Sequence, residues 1–475
     1  MVGSPGRAVS LQCPAAILGS VGLSSTARKS CAGVQCPWLR HQREFDSCPS
    51  CPPRSAPHND RLGNEGSPTI PSAKRYIFLL FGGLVMAIVS MGPYAALVLI
   101  PAVISVVLIH SLEPRAVHKW TFLIQMGWQT LCHLWLHFKD YYLQEATDIK
   151  FIVALSTLML LTQRVTSTSL DIQEGEITIP ATIMQLNRFG SEILHCSLPY
   201  FSYMLYFPAL LGGPLYSFQM FKIHMENLKK SDQKCTIKPL WAFFIKCIFF
   251  FLLDMLRMFV RNCIIVIEQS DQGPLQWNVP KDILWIWITA LMLRLAYYSQ
   301  WILSESLHNL IGLGLDSNRS GQAPLSDADI WKLETTNKIS EFARTWNKTT
   351  ADWLRRTVFQ RSKVQPLLST FAFSAWWHGL HPVQIFAFIL WAATVKADYR
   401  VHRYMGPRAA RSRSLRIFYN VLTWVQTQLV IAYILVAVEL RSFSCMLVLC
   451  KSICAVCPLL YVLMLIDMPS RPSTN

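Results

Sequence analysis

Residues 76–111, YIFLLFGGLVMAIVSMGPYAALVLIPAVISVVLIHS, decide the fold class of this chain. The stretch is almost wholly apolar, and as a helix it would be about 54 Å long at roughly 1.5 Å per residue. Because a bilayer core is about 30 Å thick, the stretch predicts either two passes or one long tilted helix with a re-entrant piece. Gly92 and Pro93 mark the expected break between its two parts.

The rest of the chain repeats this apolar pattern. Hydrophobic residues make up 52% of the sequence and charged residues only 15%, whereas soluble domains carry about 25% charged residues. We therefore predict an all-α polytopic membrane protein with about ten to eleven membrane elements. Further candidate spans are 120–138, 151–164, 193–213, 240–267, 283–303, 379–396, 418–440 and 443–466. The apolar piece 366–378 is too short to cross alone and is expected to pair with 379–396 as a hairpin or broken element.

The net charge of +16 is concentrated in loops between apolar blocks, at 222–238, 344–363 and 396–416. A soluble nucleic-acid binder would carry such charge on a folded basic face. Here each cluster adjoins a membrane-length segment, which favours cytosolic loops under the positive-inside tendency. Anionic headgroups or the phosphates of a nucleotide-bearing substrate are the partners that this charge suits.

Composition divides the chain into two parts. Residues 1–74 are rich in Pro, Ser and Cys without any period, which predicts disorder. Residues 75–470 are expected to form one membrane domain, in which the polar stretch 304–363 forms amphipathic helices at the cytosolic interface. No metal site is expected, because the one C-x-x-C pair (48–51) has no second pair at finger spacing.

A histidine ends the stretch TFAFSAWWHGLHP at residues 370–382. His378 follows two tryptophans, and His381 lies three residues further on. A histidine in an apolar segment either hydrogen-bonds a neighbouring helix or does chemistry, and the sequence leaves both open for His378. A metal pair is disfavoured, because helical ligand pairs prefer a spacing of four residues and no Cys or carboxylate lies nearby.

Other polar residues also need an explanation. Asp254 and Arg257 lie three residues apart in an apolar span and are expected to form a structural ion pair. Arg294 is expected either to line a water-filled cavity or to join helices. Asn347 begins a glycosylation sequon, but the surrounding basic residues favour the cytosolic side, where its amide suits a carbonyl while Arg344 holds a phosphate.

Two segments together resemble the signature of the membrane-bound O-acyltransferase family: WNKTTADWL (346–354) and, after it, SAWWHGLHP (374–382). Members of that family carry a histidine and an upstream asparagine beside a tunnel through the bilayer. The segments LLTQRVTSTSLDI (160–172), LPYFSYMLYFPALLGGP (198–214) and YYSQWILSESL (297–307) agree with it. The resemblance covers roughly residues 74–468 and does not extend over 1–73.

The resemblance implies a helical bundle around a transmembrane catalytic tunnel, in the endoplasmic reticulum membrane. It implies transfer of a medium-chain acyl group, octanoyl, from acyl-CoA on the cytosolic side to a serine hydroxyl of a secreted peptide hormone precursor on the lumenal side. Octanoyl-CoA would be a co-substrate, and no bound cofactor is expected.

The same resemblance assigns roles to single residues. His378 is expected to be the general base, and Asn347 to orient the thioester or polarise its carbonyl. Arg344 is expected to contact a phosphate of coenzyme A. The aromatic residues expected to close the acyl pocket are Phe371, Phe373 and Trp391, with ordinary bundle packing as the alternative. The residues expected to be structural are His381, Asp254, Arg257 and Arg294.

Two other functions remain open from the sequence. A lysophospholipid O-acyltransferase would use the same histidine and asparagine on a lipid acceptor. A transporter or non-catalytic scaffold would use His378 to gate or to pack, although the paired motifs have no obvious role there.

Overall fold

The computed structural model describes residues 70–145, 148–177, 190–227, 237–269, 279–311, 326, 328–439, 446–447, 449–450 and 455–467. Within these ranges no residue belongs to a strand, which confirms the predicted all-α fold. Most of the segment predicted to be disordered, residues 1–69, lies outside the described residues, and the first helix begins at Ile70.

The helices follow one another closely along the chain. They are α1 (Ile70–Met91), α2 (Ala96–Ser111), α3 (Pro114–Phe138), α4 (Ile149–Gln173), α5 (Gly190–Met204), α6 (Phe218–Asn227), α7 (Ile237–Gln269), α8 (Val279–Ile311), α9 (Ile330–Thr335), α10 (Ile339–Thr345), α11 (Lys348–Leu354), α12 (Pro366–His378), α13 (Pro382–Ala409), α14 (Arg413–Glu439) and α15 (Val456–Asp467). A π-helical turn, Lys139–Leu143, continues α3, and another, Arg355–Phe359, continues α11.

The apolar block 76–111 breaks where the sequence predicts. A 3₁₀ turn, Gly92–Ala95, separates α1 from α2, and Gly92 adopts a φ of 57°, a conformation that glycine tolerates best. On either side of the break the helices differ in their main neighbours: α1 packs chiefly on α5, and α2 chiefly on α3 and α4.

Three described segments are long and apolar enough to cross a bilayer: Ala73–Ser111, Ile149–Gln173 and Arg413–Glu439. Large apolar side chains also point outward from α1 and α7, including Phe81 at 66% and Phe251 at 62% exposure. Such outward apolar faces are what a lipid-facing surface requires. The full number of about ten to eleven membrane elements stays a prediction.

Three larger hydrophobic clusters fill the described part of the bundle. One is built from α1 to α6, and two are built from α7 onward. A small fourth group joins the two halves, made of Met126 from α3, Trp353 from α11, and Phe373 and Trp377 from α12. The helix that ends on His378 therefore lies at the junction between the two halves of the molecule.

The segment 366–378 forms a hairpin with its successor, as predicted. Helices α12 and α13 pack on each other across the short turn at residues 379–381. Upstream, the polar stretch 304–363 begins within α8 and contains the short helices α9 to α11, with Leu333 and Phe342 buried and Lys332 and Arg344 exposed. The assignment of this stretch to amphipathic helices at the cytosolic interface stays a prediction.

Candidate active site

His378 is the last residue of α12, and the turn behind it fixes where the helix ends. The Leu380 amide donates to the Ala375 carbonyl and the Gly379 amide to the Trp376 carbonyl, both at 3.1 Å, which is the bond pattern of a Schellman motif. Gly379 has a φ of 121°, which a residue with a side chain rarely adopts. The imidazole therefore stands at a helix end whose backbone is already satisfied.

The imidazole of His378 contacts aromatic rings. It stacks on Phe388 of α13, with centroids 5.0 Å apart and planes 28° apart, and meets Trp377 edge-on at 4.8 Å. Within the described ranges of the chain, neither ring nitrogen of His378 makes a hydrogen bond to the protein. The fold thus positions this histidine by shape and leaves both its nitrogens available.

The aromatic row beyond His378 contains two of the three predicted pocket residues. Phe388 continues to Trp391, with centroids 6.2 Å apart, and Trp391 lies 5.7 Å from Phe371. Phe373 belongs to a different cluster, where it stacks on Phe122 of α3 at 5.9 Å. The structure therefore joins Phe371 and Trp391 to His378 and places Phe373 among packing residues.

Asn347 lies in a break between two short helices. Its φ of 48° is left-handed, a conformation that asparagine tolerates better than most residues, and α11 begins directly after it. Its side chain makes no capping bond to α11. Trp346 anchors the turn by stacking on Phe342 at 5.4 Å and meeting Trp301 at 5.0 Å. The amide is half-buried and not used to hold the turn.

Helix α4 contacts both candidate segments through buried polar side chains. Gln163 donates to the Thr350 hydroxyl at 3.0 Å, three residues after Asn347, and the Trp353 indole donates to the Thr166 hydroxyl at 3.0 Å. From the helix that ends on His378, the Trp377 indole donates to the Met159 carbonyl of α4 at 3.3 Å. The segment that carries Asn347 and the helix that carries His378 are thus attached to one common helix.

From the sequence, segment 160–172 was connected only with the family resemblance. The segment carries a Thr or Gln side chain on each successive helical turn, and this pattern indicates that the helix binds its neighbours by hydrogen bonds.

Arg344 lies on the exposed side of α10. Its Nη1 donates to the Tyr399 hydroxyl of α13 at 2.5 Å. A surface cavity of about 510 Å³ lies among α9, α10, α13 and α14. The residues that line it are Thr335, Asn337, Lys338, His402, Gly406, Ala409, Ala410, Arg416, Tyr419, Asn420 and Trp424. Lys338 and Arg416 are exposed, so this cavity offers cations and amide groups to an anionic ligand.

Two further sets of predicted structural residues make bonds within a single helix. Arg257 Nη2 lies 2.6 Å from Asp254 Oδ1, so the predicted ion pair is present. His381 caps α13, because its Nδ1 accepts the Val383 amide at 3.3 Å.

Arg294 is fully buried and joins three helices. Its Nη1 donates to Glu334 of α9 at 3.0 Å and to Gln428 of α14 at 2.7 Å. Of the two alternatives for Arg294, these contacts favour the role of joining helices.

Residues 141–436 match the family model of the membrane-bound O-acyltransferase family, a range that contains both Asn347 and His378. The chain belongs to the membrane-bound O-acyltransferase family. The predicted membership is thereby confirmed, and the protein is an acyltransferase of a membrane-protein family.

Comparison with curated relatives points the same way. The chain is 46% identical over 408 residues to the membrane-bound ghrelin O-acyltransferase of Rattus norvegicus, covering 85% of this chain and 91% of the relative. It is 45% identical over 409 residues to the Mus musculus protein of the same name, with the same coverage. It is 23% identical over 438 residues to the Homo sapiens membrane-bound glycerophospholipid O-acyltransferase 1, covering 86% of this chain and 85% of the relative.

Proposed function

We propose that this enzyme transfers an octanoyl group from octanoyl-CoA to a serine hydroxyl near the amino end of the ghrelin precursor. The observation that carries the chemistry is the His378 imidazole, which stands at a helix end beside an aromatic row without a hydrogen bond to any described protein group. The acceptor is inferred from the 46% identity to a ghrelin O-acyltransferase over nearly its whole length.

In the proposed reaction His378 is the general base. Its neutral imidazole accepts the serine proton as the hydroxyl oxygen attacks the carbonyl carbon of the thioester. A carbon–oxygen bond forms, the carbon–sulfur bond breaks, and the proton passes from the imidazolium to the departing thiolate. The products are an oxygen ester on the peptide and free coenzyme A, and no residue of the enzyme becomes acylated.

Asn347 is proposed to donate a hydrogen bond from its amide to the thioester carbonyl oxygen. An amide used in this way must be free of structural bonds, and the Asn347 side chain does not cap the helix that follows it. A donor aimed at the oxygen on which charge develops contributes about 3 kcal/mol to transition-state stabilisation.

The acyl chain is proposed to lie along Phe371, Trp391 and Phe388, because these aromatic rings form a row that leads away from His378. The phosphates of coenzyme A are proposed to lie near Arg344, Lys338 and Arg416. His402, in the lining of the cavity, is fourteen residues after Phe388 on α13, which is about 21 Å along the helix axis. The pantetheine arm would bridge this separation.

The placement in the cell follows from the substrates. Octanoyl-CoA is a cytosolic compound, whereas a secreted peptide precursor is found in the lumen of the endoplasmic reticulum. A multi-pass enzyme of that membrane lets the two meet, and the basic clusters of the chain suit its cytosolic side.

The proposal is tested with microsomes that carry the protein, labelled octanoyl-CoA and a short peptide that begins Gly-Ser-Ser-Phe. We expect label on the third residue of the peptide, and we expect neutral hydroxylamine to release it as from an oxygen ester. Microsomes without the protein are the control. An unlabelled peptide would overturn the proposed acceptor.

A second function is favoured by one observation, the 23% identity to a human glycerophospholipid O-acyltransferase over 86% of this chain. Under this alternative the same microsomes would leave the peptide unlabelled and transfer label to an added lysophospholipid. The same experiment therefore decides between a peptide acceptor and a lipid acceptor.

A further inference from the structure

Helix α3 presents a row of polar side chains at intervals of four residues, an arrangement that the reaction described above does not use. The row consists of Gln129, His133, His137 and Tyr141. Residues four apart form one inclined ridge on a helix surface. Polar groups in an apolar helix are costly unless they have partners, so such a row needs an explanation.

The partners of this row are concentrated on the turn that carries His378. Gln129 Nε2 donates to the Trp377 carbonyl, and His137 Nε2 donates to the Gly379 carbonyl at 2.7 Å. The carbonyls of the two residues next to His378, Trp377 and Gly379, are therefore both held by α3. Gln129 is 1% exposed, and its Oε1 accepts the Thr162 hydroxyl at 2.8 Å, which fixes the orientation of the amide.

Tyr141, the last residue of the row, contacts His381 at the end of the same turn. His381 Nδ1 accepts the Val383 amide, so in a neutral ring the proton is on Nε2. That Nε2 lies 3.1 Å from the Tyr141 hydroxyl and donates to it. Tyr141 thus fixes His381, and with it the start of α13.

His133, in the middle of the row, lies so close to the turn that position 379 has room only for a glycine. A Cβ atom at Gly379 would lie 2.6 Å from His133 Nδ1, so α3 approaches the turn as closely as its backbone allows. Thr130, the neighbour of Gln129, accepts the Trp376 indole at 2.9 Å. Every residue from Trp376 to Gly379 except His378 is therefore held by a polar bond to α3 or by direct contact with it.

We infer that the row Gln129, His133, His137 and Tyr141 is a positioning set, which orients the His378 imidazole toward the reacting hydroxyl by fixing the peptide groups around it. The His378 ring contacts aromatic rings and has no hydrogen bond to a described protein group, so the direction of the ring depends on the backbone from which it projects. The inference rests on the proposed function, since it assigns to His378 a task that depends on direction.

The test compares two glutamines of α3. Gln129→Leu removes both bonds to and from the amide. Gln125→Leu is the matched control, because Gln125 lies one turn earlier, is equally buried, and bonds the Pro101 carbonyl and the Ser105 hydroxyl of α2 instead. Octanoyl transfer to the peptide is measured as kcat and KM per folded molecule, with the thermal midpoint of each variant.

A positioning role predicts that Gln129→Leu lowers kcat at least about tenfold more than Gln125→Leu, with similar KM values and similar thermal midpoints. A structural role alone predicts equal effects on kcat, or losses that follow the thermal midpoint, and either result would overturn the inference.

A second pair at His137 keeps the inference testable if Gln129→Leu does not fold. His137→Phe retains a ring but has no donor, whereas His137→Gln places an Nε2 donor where the imidazole has one. We expect kcat to fall in His137→Phe and to recover in His137→Gln, and equal values in the two would contradict the inference. A wild-type enzyme that fails to label the peptide would instead overturn the proposed function, so the two failures are distinguishable.

Discussion

The two faces of α12 are held in different ways. The packed face carries Phe373, Trp376 and Trp377, and both indoles donate hydrogen bonds, to Thr130 of α3 and to the Met159 carbonyl of α4. The open face carries Phe371 and His378, which contact Trp391 and Phe388 of α13, and the His378 ring also meets Trp377 edge-on. One face thus fixes the helix, and the other is left with groups that a substrate can use.

The contrast explains how one short helix can be fixed in place while a side chain on it keeps its polar atoms available. The hydrogen bonds described from α12 to α3 and α4 come from the packed face, so the position of the His378 ring is fixed while its nitrogens bond no described protein group. General base catalysis, the role proposed for His378, requires a preorganised group of this kind. The substitutions below test the contrast between the packed face and the open face.

The largest effect is expected from Gly379→Ala, which damages the junction of the two faces. The new methyl group would meet the His133 ring, at a backbone φ of 121° that alanine rarely adopts. We expect no detectable octanoyl transfer, because the turn that carries His378 is displaced. Gly127→Ala is the control, since a Cβ there would meet no heavy atom within 4 Å and Gly127 is exposed on α3. Transfer within tenfold of wild type in Gly379→Ala would contradict the described turn.

Asn347→Gly tests the second proposed reactive group. Glycine accepts the left-handed backbone at this position without strain, so the substitution removes the amide and spares the turn. We expect kcat to fall about a hundredfold, as when one oxyanion donor is removed, at an unchanged thermal midpoint. An unchanged kcat would show that the amide has no part in the reaction.

The two phenylalanines of α12 separate the faces directly. Phe371→Ala is expected to shift acyl preference toward donors longer than octanoyl-CoA, because it opens the aromatic row beside Trp391. Phe373→Ala is expected to keep the preference and to lower stability by about 3 kcal/mol, because it empties a packed site next to Phe122. Competition among acyl-CoA donors of different length measures the first effect, and the thermal midpoint measures the second. The opposite assignment of effects would reverse the roles of the faces.

The smallest effect is expected far from α12. Asp254→Asn breaks the ion pair with Arg257 on α7, and these two side chains are 33% and 13% exposed. The pair joins two residues of the same helix, and neither belongs to the site described above. We expect transfer within twofold of wild type, measured per folded molecule; a larger loss would give α7 a part in the site.

The sequence predicted the end of α12 well, because its signals are local. Gly379 and Pro382 stop the helix where the apolar stretch ends, and Phe371, seven residues or about two turns before His378, lies on the same side of the helix. Phe373 was grouped with Phe371 although two residues rotate a helix by about 200°. That rotation is why the structure finds it in the opposite cluster.

The polar row of α3 was not predicted, and the reason is physical. Its partners in the His378 turn lie more than 200 residues away along the chain, so no local sequence pattern can identify them. Within the span 120–138 the row is recognisable only as polar residues at intervals of four. Such a pattern shows that a helix has partners, but their identity depends on the tertiary packing of α3 on α12.

The central claim is that the open face of α12 does chemistry while the packed face holds the helix. The most direct measurement compares His378→Ala with Trp376→Phe for octanoyl transfer per folded molecule and for thermal midpoint, in parallel. We predict that His378→Ala loses transfer by at least about a hundredfold at a nearly unchanged midpoint. Trp376→Phe, which loses its bond to Thr130, should keep transfer within a few fold and unfold at a lower temperature. If His378→Ala transfers octanoyl at the wild-type rate, His378 is a packing residue and the account is wrong.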